Sequence, residues 1–164
     1  MTPTIRPYRA EDRAACHDVF YRAVHEGAAA FYTAAQRAAW APEETAHVTR
    51  YDKLCDQWCW VAEDAGAIIG FMSLDHTGYL DMAFVLPEAM GKGVSGALYD
   101  ALKAKAHEQE FPRLTVHASF LAQRFFEKRG WRVDKVEDHP ARGQTLRRFC
   151  MSLDVGKVTD DTPL

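Results

Sequence analysis

No stretch of this 164-residue chain approaches the roughly 20 consecutive apolar residues of a membrane-spanning helix. Residues 1–13 carry charges throughout and no apolar run, so no secretory signal is expected. An excess of basic charge is missing too. Lys and Arg number 20 against 23 Asp and Glu, a formal net charge of −3, which argues against a broad nucleic-acid-binding face. The local basic patch Arg142, Arg147 and Arg148 reads as solvated surface charge. Cysteines are few: Cys16, Cys55, Cys59 and Cys150 form no Cys-x-x-Cys pair. The Cys55–Cys59 spacing suits one helix face rather than a zinc knuckle, even with His47 upstream, so no metal is expected. Buried or free thiols fit a reducing, cytoplasmic compartment. Repeats, low-complexity segments and linkers are absent as well. The economical reading is one α/β domain over residues 1–154 with a polar, acidic tail over 155–164.

What remains is ordinary globular material, 48% hydrophobic and 26% charged, long enough to bury a proper core. Periodicity and turn residues give the order β, α, α, β, β, β, α, β, α, β, β. A short strand covers 5–9 and a long helix 11–30. A second helix covers 33–40, stopped by Pro42 and continued in pieces over 43–54. Strands at 59–63 and 67–74 are joined by the hairpin signal Asp64-Ala65-Gly66. The central strand covers 79–86, and a strand at 113–117 precedes a helix opened by Ser119. Strands at 131–137 and 145–154 close as a hairpin around 139–143.

The segment after the central strand is the most informative. Val85-Leu86-Pro87-Glu88 leads into Met90-Gly91-Lys92-Gly93-Val94-Ser95-Gly96, and a helix follows at once. Its apolar positions are Val94, Ala97, Leu98, Ala101 and Leu102, at helical spacing. Gly91 and Gly93 permit close approach of a ligand to the backbone, and unpaired N–H groups at the helix start favour an anion. This is a phosphate cradle. Lys92 is followed by Gly93 rather than Ser or Thr, which departs from a Walker loop. Gly91-x-Gly93-x-x-Gly96 has dinucleotide spacing, but the acid near Glu110 falls in a helix tail instead of ending a strand.

The loop resembles the pyrophosphate loop of the GNAT superfamily of acyl-CoA-dependent N-acyltransferases, Gln/Arg-x-x-Gly-x-Gly/Ala after a strand ending Val-x-Pro-Glu. Met90 and Ser95 depart from that pattern. Because the cradle is mostly backbone, Met90 should cost little, and the Ser95 hydroxyl could add a phosphate contact. A second segment, Ser119 to Trp131, is similar to the family's Asn-x-x-Ala-x-x-Phe-Tyr-Glu-Lys-x-Gly-Phe. The opening Ile5-Arg6-Pro7-Tyr8 is similar as well, so the resemblance covers about residues 4–154. It implies a mixed, mostly antiparallel central sheet flanked by helices, with a splayed central strand pair. It also implies transfer of an acetyl or other short acyl group from acyl-CoA to a primary amine of a small molecule or protein. The alternative is a non-catalytic acyl-CoA-binding module of the same fold. A homodimer remains open, and no nucleic acid or membrane partner is expected.

Acyl transfer needs a neutral amine, a donor for the thioester oxygen and a path for the leaving thiolate. By resemblance the oxygen is met by backbone of Phe84 and Val85. Alternation puts Tyr79, Asp81, Ala83 and Val85 on one face of the central strand. Asp81 is then either a general base, acting directly or through water, or a carboxylate at a still-solvated strand start. The family's acid is a Tyr where this chain has Phe126, which has no proton to give. His117 is either a substitute acid or a half-exposed strand histidine. Ser119 holds the Asn position, as pantetheine ligand or simply N-cap. The aromatics Phe31, Tyr32, Trp40, Trp58 and Trp60 are expected along the acceptor side, with Tyr32, Trp40 and Tyr79 as acceptor contacts and Trp60 as core. His25 and His76 could also border the cleft.

Overall fold

The computed structural model describes residues 2–42 and 47–156, with backbone only at 47–50. Seven strands form one sheet: β1 (Thr4–Pro7), β2 (Trp58–Asp64), β3 (Ala67–Leu74), β4 (Tyr79–Val85), β5 (Arg113–Ala118), β6 (Arg132–Ala141) and β7 (Gln144–Asp154). Their order across the sheet is β1-β2-β3-β4-β5-β7-β6. All neighbours run antiparallel except β4 and β5. Four helices flank the sheet: α1 (Arg13–Arg22), α2 (Ala34–Trp40), α3 (Val94–Glu108) and α4 (Phe120–Glu127). This is the mixed, mostly antiparallel class expected from the sequence.

The core lies on both faces of the central strands. A Cβ added at Gly70 would stand 3.2 Å from Leu98 of α3. The next residue, Phe71, faces the other way, where Phe20 of α1 meets Phe84 edge-on at 4.8 Å. Strand β3 is therefore buried from Ile69 through Leu74.

Three segments differ from the expectation. Residues 11–30 are not one helix: a 3₁₀ turn (Ala10–Asp12) precedes α1, and a π turn (Ala23–Gly27) follows it. The wider π turn brings Gly27 against the loop, where a Cβ would stand 2.6 Å from the Met90 Cε. In the region 43–54, residues 43–46 lie outside the described residues and His47–Cys55 is a 3₁₀ helix. The expected loop around 139–143 shrinks to Arg142 and Gly143, both at positive φ, so His139, Pro140 and Ala141 belong to β6. Proline is tolerated there because β6 is the last strand of the sheet. Residues 157–164 of the expected tail also lie outside the described residues.

The feature that positions the site is the parting of β4 from β5. The two pair only at Tyr79↔Thr115 and Leu80↔Val116, then separate. On its other side β4 stays paired with β3 up to Gly70↔Val85, with a bulge that leaves Asp81 without an opposite residue. Ser73, fully buried, fills the break: its hydroxyl accepts from the Met82 N–H at 3.2 Å. The start of β4 is set by the turn Asp75–Gly78, in which Gly78 has φ +88° and its carbonyl accepts from the Thr115 N–H. A Cβ at Gly78 would stand 2.8 Å from the Arg113 carbonyl oxygen. We expect Gly78→Ala to destabilise the fold by about 2–4 kcal/mol, from left-handed strain plus overpacking. Urea denaturation at constant m-value measures it; a loss below about 0.5 kcal/mol, the range of neutral surface changes, would show that the turn does not hold the strand pair.

Candidate active site

Beyond the parted strands the chain leaves β4 through a 3₁₀ turn (Pro87–Ala89) and enters the loop before α3. Glu88 braces that turn. Its carboxylate accepts two hydrogen bonds from the Arg22 guanidinium of α1, at 2.9 and 2.8 Å, which holds it below the usual carboxylate range. Gly91 (φ +74°) and Gly93 (φ +83°) then turn the backbone through conformations that favour glycine, and the space beside both Cα atoms is open. Gly93 caps α3 with no side chain in the way. The first N–H groups of this 15-residue helix have no intrahelical acceptor, and the helix dipole adds positive potential. The glycine conformations and the helix start at Val94 match what the spacing implies for the backbone.

Two cavities open on either side of the splay. The first, about 400 Å³, runs from the loop to β4 and the inner face of α4. Ala83, Phe84 and Val85 all line it. Consecutive strand residues point to opposite faces, so this wall includes backbone left free by the absence of β5. Arg129, just beyond α4, closes the cavity near the helix start. Its guanidinium stacks 3.7 Å above the Phe125 ring and lies 3.1 Å from where a Gly96 Cβ would stand. Among the described residues it has no acidic partner.

The second cavity, about 320 Å³, lies between α2, the start of β4 and the β6–β7 hairpin. Trp40, Phe84 and Ser119 line both cavities and mark their junction. Asp81 lines the second and is held rather than free: Lys53 Nζ stands 2.7 Å from Oδ2, and Gln57 Nε2 donates to the same oxygen at 2.9 Å. Tyr79 and His117 share this wall, with the phenol oxygen 3.3 Å from His117 Nδ1. Burial, then the nearby Arg148 charge, lowers the His117 pKa below its ordinary 6.5, so the ring is neutral at neutral pH. Burial and the Asp81 charge push the Tyr79 phenol up to about 12, which keeps it protonated.

The structure therefore gathers the sequence-derived residues into two groups. Met90, Gly91, Gly93, Ser95, Gly96, Phe84, Val85 and Phe126 line the first cavity; Tyr32, Tyr79, Asp81 and His117 line the second. Lys92 and Val94 fall outside both walls, Lys92 exposed and Val94 in the core. Met90 turns its side chain onto Gly27 and Leu121. Phe126 is a buried core ring, packed 4.9 Å from Trp131, with one side on the cavity. His117 stands in the other cavity from Phe126, which counts against its replacing the family's acid. Ser119 is the N-cap of α4, accepting from the Ala122 N–H. The Tyr32 hydroxyl is used up structurally, accepting from the Phe120 N–H and donating to the Arg147 carbonyl.

The expected aromatic border is smaller than the sequence suggests. Trp58 packs on His76 at the far end of β2, Trp60 is half-buried, and Phe31 is 51% exposed beside Phe120. His25 donates its Nε2–H to the Ala41 carbonyl and His76 its Nε2–H to that of Asp56, and neither lines either cavity. Arg142, Arg147 and Arg148 are not merely solvated surface; all three line the second cavity. Sequence reasoning missed Lys53, Gln57 and Arg129. Only Arg129 carried a signal, as a cation directly after the α4 motif.

Known proteins agree with this geometry. The model of the acetyltransferase (GNAT) domain matches residues 21–152. An uncharacterised N-acetyltransferase of Escherichia coli K12, YafP, is 34% identical over 148 residues, spanning 90% of this chain and 93% of that protein. A GCN5-related N-acetyltransferase of Rhodopseudomonas palustris superposes with a TM-score of 0.88 at 31% identity, over 94% of this chain and 96% of its own. The PaiA N-acetyltransferase of Thermoplasma acidophilum, solved with coenzyme A, has a TM-score of 0.71 at 19% identity, over 94% of this chain and 99% of its own. At that identity the likeness speaks to the fold alone. With a family match across most of the chain and two parted strands beside a glycine-spaced helix start, this protein belongs to the GNAT acetyltransferase family.

Proposed function

We propose that this protein transfers an acetyl or other short acyl group from acyl-CoA, held in the first cavity, to a primary amine held in the second. The observation that carries the reading is the junction of the two cavities at Trp40, Phe84 and Ser119, beside a strand whose partner has left. Acyl-CoA supplies an activated acyl carbon when bound. The N–H groups at the start of α3 fit its pyrophosphate, and Arg129 fits as the cation that Met90 does not provide. Backbone at Phe84 and Val85 meets the thioester oxygen, as fixed donors do where negative charge develops. In the second cavity Asp81 receives the ammonium end of the acceptor in exchange for Lys53. His117, neutral at neutral pH, takes the proton that leaves the amine, directly or through water. With Nδ1–H donating to the Tyr79 oxygen, the lone pair resides on Nε2. The thiolate leaves without a tyrosine; the Ser119 hydroxyl is the protic group common to both cavities. A non-catalytic acyl-CoA-binding module has no observation in its favour, since it would not need the polar second cavity. Four free cysteines support a cytoplasmic location.

For the cradle, we expect Gly93→Asp to abolish measurable CoA binding in titration calorimetry, because it adds strain and a negative charge where the phosphate sits. Arg129→Ala should weaken CoA about tenfold, the loss of one charge-assisted hydrogen bond at a partly open site. Binding of acetyl-pantetheine, which lacks the phosphates, should not follow it down. Equal losses for both ligands would show that Arg129 only supports packing.

For proton transfer, kcat/KM should rise with pH along a limb lying below 6.5, as His117 loses its proton, and level off by neutrality. In His117→Gln that limb should vanish and the rate at pH 7 fall by about 10²-fold, the lower range for a general base. Asp81→Asn should raise KM for the amine while CoA affinity holds, with the deficit shrinking at high pH where free amine is abundant. A wild-type profile in His117→Gln would remove that residue from the reaction.

A further inference from the structure

The acceptor cavity carries more positive charge than its own structure neutralises. Four cationic side chains line it, Lys53, Arg142, Arg147 and Arg148, against one carboxylate, Asp81. Three of the cations are matched. Lys53 pairs with Asp81 at 2.7 Å. Arg147 reaches Asp138 at 3.0 Å, and Arg148 is held by Glu137, both acids lying on β6 outside the cavity wall. Arg142 is left over. Its guanidinium makes one hydrogen bond, from Nη1 to the Ala39 carbonyl at 2.7 Å, and among the described residues it has no acidic partner. The remaining N–H donors of a planar, always charged group are therefore available on the cavity side of the β6–β7 turn.

The arrangement also has two ends. Phe84 and Ser119, shared with the first cavity, mark where the acceptor nitrogen must arrive. Arg142 belongs to the hairpin tip between β6 and β7 and lines the second cavity only. Trp40 lies at the junction with Phe84 and Ser119, and its ring packs edge-on against that of Tyr32 in the second cavity at 5.4 Å. The tip is held in place rather than loose. Gln36 Nε2 donates to the Thr145 carbonyl and the Tyr32 hydroxyl to that of Arg147, and the Arg142 guanidinium itself is anchored on the Ala39 carbonyl of α2. A volume of about 320 Å³ suits a small molecule.

We propose that the acceptor is a small primary amine that also carries an anionic group, a carboxylate or phosphonate, bound by Arg142. This rests on the acyl-transfer reading and adds the chemical class of its substrate. The amine end exchanges with Lys53 at Asp81 while the anion meets the one cavity cation that has no counter-charge among the described residues. An amine lacking the acid would leave that charge unmatched, and a polyamine would bring further cations against Arg142 and Arg148.

The test is acetylation of matched pairs with acetyl-CoA, each pair an amino acid or aminoalkylphosphonate and the amine of the same carbon skeleton without the acid. The acidic member should win by about tenfold or more in kcat/KM, one charge-assisted hydrogen bond at an exposed site, and the advantage should shrink as salt is raised. In Arg142→Gln the two members should converge, through KM rather than kcat. Titration calorimetry of the N-acetylated amino acid against the CoA-bound protein provides a second readout without turnover, with binding expected in the wild type and weakened about tenfold in Arg142→Gln, on the same hydrogen-bond scale. Equal turnover of both members, or a preference for the amine without acid, would overturn this inference and leave acyl transfer standing. CoA binding with no acetylation of any amine and no binding of the acetylated product would overturn both.

Discussion

Between β4 and β5 the sheet is held by pairing at Tyr79↔Thr115 and Leu80↔Val116, and the rest of the molecule is arranged around the gap that follows. An unpaired strand edge inside a protein is costly, because each buried N–H or carbonyl without a partner loses its bonds to water. The gap persists because both flanks are tied elsewhere. β4 continues against β3 to Val85, and β5 runs its full length against β7. What the sheet leaves unbonded faces a cavity, where an acyl-CoA can meet it.

Several contacts hold that opening in shape, and each joins segments far apart in the chain. Ser73 satisfies the N–H exposed by the bulge at Asp81, which lets a carboxylate sit in a central strand without breaking the ladder. Arg22 and Glu88 tie the end of α1 to the turn before the cradle. The Tyr32 hydroxyl bridges the start of α4 and the backbone of β7, tying two walls of the second cavity together. Trp131 donates to the Tyr99 hydroxyl at 2.9 Å in the core, joining the strand after α4 to α3. None of these groups needs to touch a ligand for its loss to be felt at the junction.

The two cavities use different physics. The loop before α3 presents mainly backbone: two glycines at positive φ, a helix start and its dipole, with the Arg129 guanidinium laid over Phe125. The second cavity presents side-chain charge, held by ion pairs that already satisfy Lys53, Arg147 and Arg148. Such a surface distinguishes ligands by where their charges fall, and exchange of one residue alters that pattern without disturbing the cradle.

Local patterns were enough to determine the order of elements, the glycine loop and the α4 segment, because turns, caps and helical periods depend on residues within a few positions of one another. Ser119 capping α4, the Ala65–Gly66 turn and the glycine turns at 91 and 93 before α3 were all legible in this way. The family resemblance then supplied the splay, which no local pattern encodes. Tertiary structure alone decided the rest. Asp81 gains its meaning from Lys53 and Gln57, 28 and 24 positions earlier, and Glu88 from Arg22, 66 positions earlier. The arginines at 142, 147 and 148 resemble surface charge in sequence, because nothing in their spacing tells that a hairpin folds them over α2. Charge pairing and cavity walls arise between segments brought together by the sheet, and that adjacency is a property of the packed chain rather than of any stretch of it.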